Sequence, residues 1–380
     1  MVINLKLKTI ARVLCLSLLV AILTFMGIIC YKYFSLSSEH NLKMLLPLYD
    51  RPSHKEEYPI DMVYLWCDGS DPKFKAKRQS MMKKMGKMTG DVKQNIGKER
   101  TMNNDELKYS LRSLEKYANW IRNIYIVTDE QVPDWLNTNN PRIHIVDNKD
   151  IIPSQFLPTF NSNVIEFGLH NIKGLSEHFL YGNDDMMFGN PVDPEDFFRD
   201  GKPIYFYDDI IQLKEGTISG YKKRLDFTSK VFKSKVKSNY APRFNHHNID
   251  PYKKSSMKEC EKVFAEEFYQ SRMNNFRVDL ELHRDIYASY AIATNQAYYK
   301  VRDRHFFRNK LDLINYKKYK HDVFSKYVAM SEVYRLPRML EKDSVKLFCV
   351  NDDEIATDAD RAKFKEIIQE MFPDKSQFEK

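Results

Sequence analysis

The chain has 380 residues, 43% of them hydrophobic, with 12 glycines and 15 prolines, which excludes a collagen-like polymer, a disordered tract or a small disulfide-stapled scaffold. A formal net charge of +8 suits an anionic partner such as a nucleotide, a phosphosugar polymer or a lipid surface, without demanding nucleic acid. Cys15 and Cys30 lie in an apolar N-terminal stretch, while Cys67, Cys260 and Cys349 are widely separated; this spacing indicates neither a disulfide framework nor a zinc site.

Residues 1–12 form a basic tail, and residues 13–31, from Val13 to Tyr31, are almost wholly apolar. At ~1.5 Å per residue that run reaches roughly 28 Å, which predicts one transmembrane helix. Lys6, Lys8 and Arg12 before it favour a cytoplasmic N-terminus weakly. Residues 32–58 lack periodicity and read as a stalk, so the catalytic body is expected over 59–380. Met62–Trp66 reads as a buried strand followed by the polar turn Asp68–Pro72. Leu107, Leu111 and Leu114 give helical spacing over Asp105–Tyr117, and two further strands are predicted at Ile124–Val127 and Ile143–Val146. Strand, helix, strand, turn, strand is the order of a parallel sheet, so the fold class is α/β, a Rossmann-like, mostly parallel sheet with helical insertions preceded by the membrane helix. Basic insertions fall near 209–240 and 301–343, where Lys222, Lys223, Arg224, Lys233, Lys235 and Lys237 could track an anionic acceptor or simply form a solvated face. A last helix is expected over Thr357–Met371.

Two strand-like runs end in the same tripeptide. Phe179-Leu180-Tyr181 leads to Asn183-Asp184-Asp185, and Leu347-Phe348-Cys349-Val350 leads to Asn351-Asp352-Asp353. A buried strand ending in paired carboxylates puts hard oxygen ligands at the carboxyl edge of a sheet, where open α/β folds bind ligands and where Mg²⁺ or Mn²⁺ can bridge phosphates. Asp184, Asp185 and Asp352 are therefore the candidate metal ligands. Asn-Asp clusters that cap helices or close turns are the competing explanation for either copy alone.

The chain resembles the Stealth family, which includes bacterial capsular and exopolysaccharide phosphotransferases and the catalytic subunit of the lysosomal-enzyme N-acetylglucosamine-1-phosphotransferase. The resemblance runs over about residues 60 to 380. It is carried by Ile60–Pro72, with Cys67 where Val is more usual, then by Asp105–Ser113, Ile124–Thr128, Leu157–Phe160 and Phe179–Asp185. His246-His247-Asn248-Ile249-Asp250-Pro251 and Phe276-Arg277 resemble a third block, and Phe348–Asp352 with Met371-Phe372-Pro373 a fourth. Phe167-Gly168 depart from the usual Ser-His, although Glu166 and His170 beside them remain.

The resemblance implies transfer of a hexose-1-phosphate from a UDP- or CMP-linked nucleotide sugar to a saccharide hydroxyl, such as that of a growing polysaccharide, forming a phosphodiester, with no nucleic acid expected. It would place the enzyme, as a single-pass protein, in a bacterial inner membrane or, as a type II protein, in a Golgi-type compartment. His247 or His246 is the expected base, Arg277 a fork for phosphate and Asp71 a further catalytic candidate. Asp68, Asp105, Arg112, Glu166 and His170 are the expected substrate-binding residues. A metal-dependent glycosyltransferase would use the same strand-end carboxylates but release a nucleoside diphosphate, and a membrane-tethered polyanion binder would need no such carboxylates at all.

Overall fold

The computed structural model describes residues 16–28, 55–85, 97, 102–208, 220–238, 247–302, 324–343 and 345–380. In chain order the elements that position the site are β1 (Ile60–Leu65), α1 (Pro72–Met85), α2 (Glu106–Tyr117), β2 (Ile124–Thr128), β3 (Ile143–Asp147), β4 (His178–Asn183), β5 (Met186–Phe188), β6 (Lys202–Asp208), α3 (Gly220–Lys235), β7 (Asp250–Lys253), α4 (Lys254–Val263), α5 (Asp285–Ala293), β8 (Tyr298–Arg302), β9 (Ser325–Ala329), β10 (Leu347–Asn351) and α6 (Asp358–Met371). The main sheet has the order β3-β2-β1-β4-β7, with the first four strands parallel and β7 antiparallel at the edge. The expected α/β class and parallel sheet are therefore present.

The inner parallel strands β1, β2 and β4 are buried on both faces, as near-continuous runs of Val, Ile, Leu and aromatic side chains require, while the edge strand β3 buries only Ile143 and Val146 fully. The amino ends of β1, β2 and β4 are stapled by Asp61. Its wholly buried carboxylate takes Arg122 in a fork at 2.8 and 2.6 Å, and the Ser176 amide at 2.7 Å. That leaves the carboxyl ends of the same strands open for chemistry.

A second, small sheet lies beside the first. β9 and β10 pair in parallel, and β5, which follows β4 after a two-residue turn, runs antiparallel to β10. Two apolar cores result, and α2 joins them: Leu107, Leu111 and Leu114 pack in the larger core, while Tyr109 packs in the smaller one with Phe348, Phe364 and Ile368. The amino end of α2 thus sits on the seam between the cores. Arg112 fastens the far end of the chain to this helix, with its guanidinium forked on Glu379 at 2.8 Å twice and bonded to the Phe372 carbonyl at 2.8 Å.

Of the expected membrane span 13–31, residues 16–28 are described, a helix of roughly 20 Å with apolar side chains exposed on every side. No described helix is long and apolar enough to cross a membrane. The tail 1–12, residues 13–15 and 29–31, most of the stalk, the stretches 209–219 and 303–323 of the basic insertions, and His246 lie outside the described residues. In the described part of the first insertion the basic face of α3 is largely paired: Lys223 with Asp279 and Lys235 with Glu267, each at 2.6 Å, and Arg224 is buried near Glu281.

Candidate metal and phosphate centre

Parallel register brings Leu65 of β1 level with Asn183 of β4, so Trp66–Asp68 and Asp184–Asp185 leave the sheet side by side. β5 then lies against β10 with Met186 opposite Cys349, and this register sets Asp185 against the second Asn-Asp-Asp segment. The Asp185 carbonyl accepts the Val350 amide at 3.1 Å. Its carboxylate accepts the Asn351 side-chain amide at 2.9 Å and the Cys349 thiol at 3.3 Å. The two copies of the tripeptide are thus laced to one another across 166 residues of sequence.

His247 joins them. One ligand atom each from Asp185, His247 and Cys349 lies within 4.8 Å of the others. The loop that carries the histidine is fixed by Asn248, whose amide reaches the Lys326 carbonyl at 3.4 Å, and by Asp250, which lies 3.5 Å from the buried Arg284. Tyr327 on β9 meets the imidazole edge-on at a ring separation of 5.7 Å and reaches Asn351 Oδ1 at 3.4 Å.

From the third direction comes Glu106, the first residue of α2. It is buried, and both of its oxygens accept from Asn104, one from the backbone amide at 2.6 Å and one from the side chain at 2.7 Å. Burial, then the Asp185 charge, pushes the Glu106 carboxyl up to about 7 against those hydrogen bonds. Asp184 is held well above the carboxylate range by burial first, then by Glu106 and Asp185. The Cys67 thiol is pushed up to about 12 by desolvation and by the charges of Asp184, Asp68 and Asp129. Asp185 raises the pKa of both Glu106 and Asp184, and such crowding of carboxylates fits a divalent cation as their common partner. The donor set also carries an imidazole and a thiol, so it does not by itself choose Mg²⁺ over a softer ion.

Asp352 departs from the expected ligand set. Both of its oxygens are taken by Arg361 at 2.9 and 3.0 Å, and among the described residues its link to the cluster is Asn104 at 3.5 Å. Its carboxylate therefore anchors α6, which begins at a Thr357 capping box.

Residues 58–86 match the family model for Stealth protein CR1, conserved region 1, and residues 100–214 match that for Stealth protein CR2, conserved region 2. The chain thus carries two conserved regions of the Stealth proteins. Curated relatives named exopolysaccharide phosphotransferase include one from Streptomyces coelicolor, 36% identical over 249 residues, covering 63% of this chain and 41% of the relative. CpsY of Mycobacterium tuberculosis (strain ATCC 25618 / H37Rv) is 37% identical over 246 residues, covering 63% and 45%. CpsY of Mycobacterium leprae is 31% identical over 332 residues, covering 85% and 57%. The chain spans less than half the length of the first two relatives. Among solved structures, the galactosyltransferase LgtC with donor and acceptor sugar analogues aligns over 84% of this chain and 97% of that one, with a TM-score of 0.42 at 8% identity.

The other residues expected at the Stealth site divide by environment. Asp68 stays at the carboxyl end of β1, where its carboxylate closes a turn on the Ser70 amide at 2.8 Å. Asp71 caps α1 instead of facing a substrate, with its carboxylate on the Phe74 amide at 2.7 Å and Pro72 as the first helical residue. Asp105 takes a left-handed backbone, φ 67°, and pairs with Lys108 at 3.0 Å, turning outward where its neighbour Glu106 turns in. Arg112 is committed to Glu379, as described above. Glu166 is interior, accepting from Tyr181 at 2.8 Å and from Arg284 at 3.3 Å. His170 is buried facing Glu261 at 3.6 Å, and burial holds its imidazole below the usual range, which favours the neutral form. Arg277 donates to Ser162 Oγ, and its charge is felt by the Tyr181 hydroxyl, whose oxygen sits 2.9 Å from Asn183 Oδ1.

Glu106, Cys349 and Arg78 were not expected. Asn104-Asp105-Glu106 is a further Asn-acid-acid run at the start of an amphipathic helix, and that signal was available. Arg78 lies on α1, half-buried, 5.9 Å above the Phe276 ring and electrostatically coupled to Cys67. Among the described residues it has no carboxylate partner.

Proposed function

We propose that this chain moves a hexose-1-phosphate from a nucleotide sugar to a saccharide hydroxyl, building a phosphodiester-linked exopolysaccharide of the kind its relatives' names state. The observation that carries the reading is the convergence of Glu106, Asp184 and Asp185 with His247 at the carboxyl edge of the sheet. A cluster of acids beside an imidazole is what an in-line displacement at phosphorus needs: a cation site for the diphosphate and a base for the incoming alcohol.

His247 takes the proton of the acceptor hydroxyl, and the acceptor oxygen bonds to the phosphorus next to the sugar. The bridging P–O bond breaks, and the electron pair leaves with the nucleoside monophosphate. Mg²⁺ or Mn²⁺, when held by Asp184 and Asp185 with Glu106 behind them, supplies charge against the phosphoryl oxygens. Arg78 and Arg277 add cationic side chains at the same edge, and Asp68 sits where the nucleoside is read. Asn351 and Cys349 position Asp185 by donating to it. The apolar run that includes the helix at 16–28 would anchor this body to a bacterial inner membrane, since apolar side chains on every face of that helix suit lipid better than water.

The released nucleotide tests the reading. Incubation with a panel of nucleotide sugars and a neutral oligosaccharide should yield nucleoside monophosphate and a phosphodiester signal in phosphorus NMR. Nucleoside diphosphate without phosphorus in the product would replace it with glycosyl transfer.

A further inference from the structure

Beyond the acidic centre, β9 and β10 end in an open groove of about 670 Å³, within the ~300–1,000 Å³ typical of small-ligand clefts. One wall is the turn Met330–Arg335 after β9, and the other is the loop between β10 and α6. Asp353 ties the walls together, one carboxylate oxygen accepting the Ser331 amide at 2.9 Å and the other the Ile355 amide at 3.1 Å. The second Asn-Asp-Asp copy thus builds a cleft with its last residue while its first holds Asp185.

The groove presents two large apolar side chains to solvent, Tyr334 at 62% exposure and Ile355 at 78%. Arg335 lies 5.6 Å over the Tyr334 ring and pairs with Glu332 at 2.9 Å, so the aromatic side chain is braced, not loose. The remaining charge in the groove is acidic, from Asp353 and Glu354. An acidic groove repels a diphosphate, a nucleic acid or an anionic polymer, whereas carboxylates accept hydrogen bonds from hydroxyl groups and an aromatic face stacks on the C–H face of a sugar ring. The groove and the centre also border the same strand, β9. Ala329, in its lining, pairs in register with Asn351, and Tyr327, two residues earlier, packs against His247.

We infer that this groove is the acceptor subsite, which binds a neutral oligosaccharide with Tyr334 stacked on a sugar ring and directs its end toward His247. The inference rests on the transfer reading for the direction of the chain, but the binding itself does not require turnover.

The test uses the full chain and the neutral trisaccharides maltotriose, cellotriose and N-acetylchitotriose, with chondroitin sulfate as the anionic control, in saturation-transfer NMR without donor. At least one neutral trisaccharide should bind, binding should weaken about tenfold in Tyr334→Ala, and Asp185→Asn should bind as well as the parent. With donor added, Tyr334→Ala should raise the acceptor KM. Absence of binding by all three trisaccharides, preference for the sulfated polymer, or equal binding by Tyr334→Ala would overturn the subsite. Trisaccharide binding in a protein that never releases nucleoside monophosphate would leave the groove standing and remove the transfer reaction instead.

Discussion

Asn183-Asp184-Asp185 and Asn351-Asp352-Asp353 end strands of similar burial, lie against one another and have the same three side chains, but they are wired differently. In the first copy Asp184 faces Glu106 and Asp185, and both Glu106 and Asp184 hold protons far above the usual carboxylate range. In the second, Asp352 is neutralised by Arg361 and Asp353 is consumed by two backbone amides. The asparagines differ as well: Asn183 sits beside the Tyr181 hydroxyl, while Asn351 donates to the other copy's Asp185. The tripeptide alone therefore does not mark a cation site; the surroundings of each copy do. On the proposed reading the first copy carries the chemistry and the second is scaffolding.

The sharpest way to break that assignment is to neutralise one carboxylate in each copy. Asp185→Asn should cut transfer on the order of a thousandfold, the scale of losing an electrostatic stabiliser of the transition state, while leaving the melting temperature equal or higher. Asp352→Asn should do the reverse, costing about 2 kcal/mol of stability by stranding Arg361, with the residual folded protein turning over. Transfer assays paired with thermal melts on both variants decide the matter. Loss of turnover without loss of stability in Asp352→Asn would return that residue to the cation site.

Titration sharpens the same contrast. A carboxyl raised in the folded state binds its proton more tightly there than in the unfolded chain, so its contribution falls as pH rises. For Glu106 the fall runs between the ordinary 4.5 and about 7 and amounts to at most about 3 kcal/mol. Metal-free protein should accordingly melt lower at pH 8 than at pH 5, and Glu106→Gln should remove much of that slope. Added Mn²⁺ should restore stability at pH 8 in the parent by about 2 to 3 kcal/mol at a hundredfold excess over Kd, and far less in Asp185→Asn. Glu281, raised to about 7 by burial within an amide cage of Asn161 and Asn163, leaves a residual slope of the same sign that metal does not touch. A slope unchanged in Glu106→Gln and insensitive to Mn²⁺ would mean the three acids do not share a charge.

What could be read from the residues follows the same division. Strands β1 to β4 and the helices α2 and α6 were legible because their apolar runs and periodicity are strong, and the strand-end position of Asp185 and its nearness to His247 follow what strand ends and a family block suggest. β7 escaped notice because Asp-Pro-Tyr-Lys has no strand-like alternation; its place is set by β4 and by the Asp250–Arg284 pair. Glu106 escaped because an acid in a first helical turn is ordinary dipole chemistry, and only the seam between two cores makes it a buried charge. Cys349 reads as core, and it is core on every side but the one facing Asp185. Arg112 and Asp71 were expected to touch substrate because their partners, Glu379 at the far terminus and an amide three residues on, are invisible to pattern.

The two arginines complete the comparison, and Arg78 gives the smallest effect. Arg361 is spent on Asp352 and Asp358, at 2.9 to 3.1 Å, and is rigid with them. Arg78 has an aromatic support in Phe276 and the thiol of Cys67 nearby, and among the described residues it has no carboxylate partner. On the proposed reading such a side chain would serve the diphosphate of the nucleotide sugar. Arg78→Ala should therefore raise the donor KM about tenfold, or ~1.4 kcal/mol, with the acceptor KM, the melting temperature and the Mn²⁺ response unchanged. Lys at this position should recover part of the loss, because the charge returns without the planar fork. If Arg78→Ala instead lowers stability and leaves the donor KM alone, Arg78 braces Phe276, and both arginines are scaffolding.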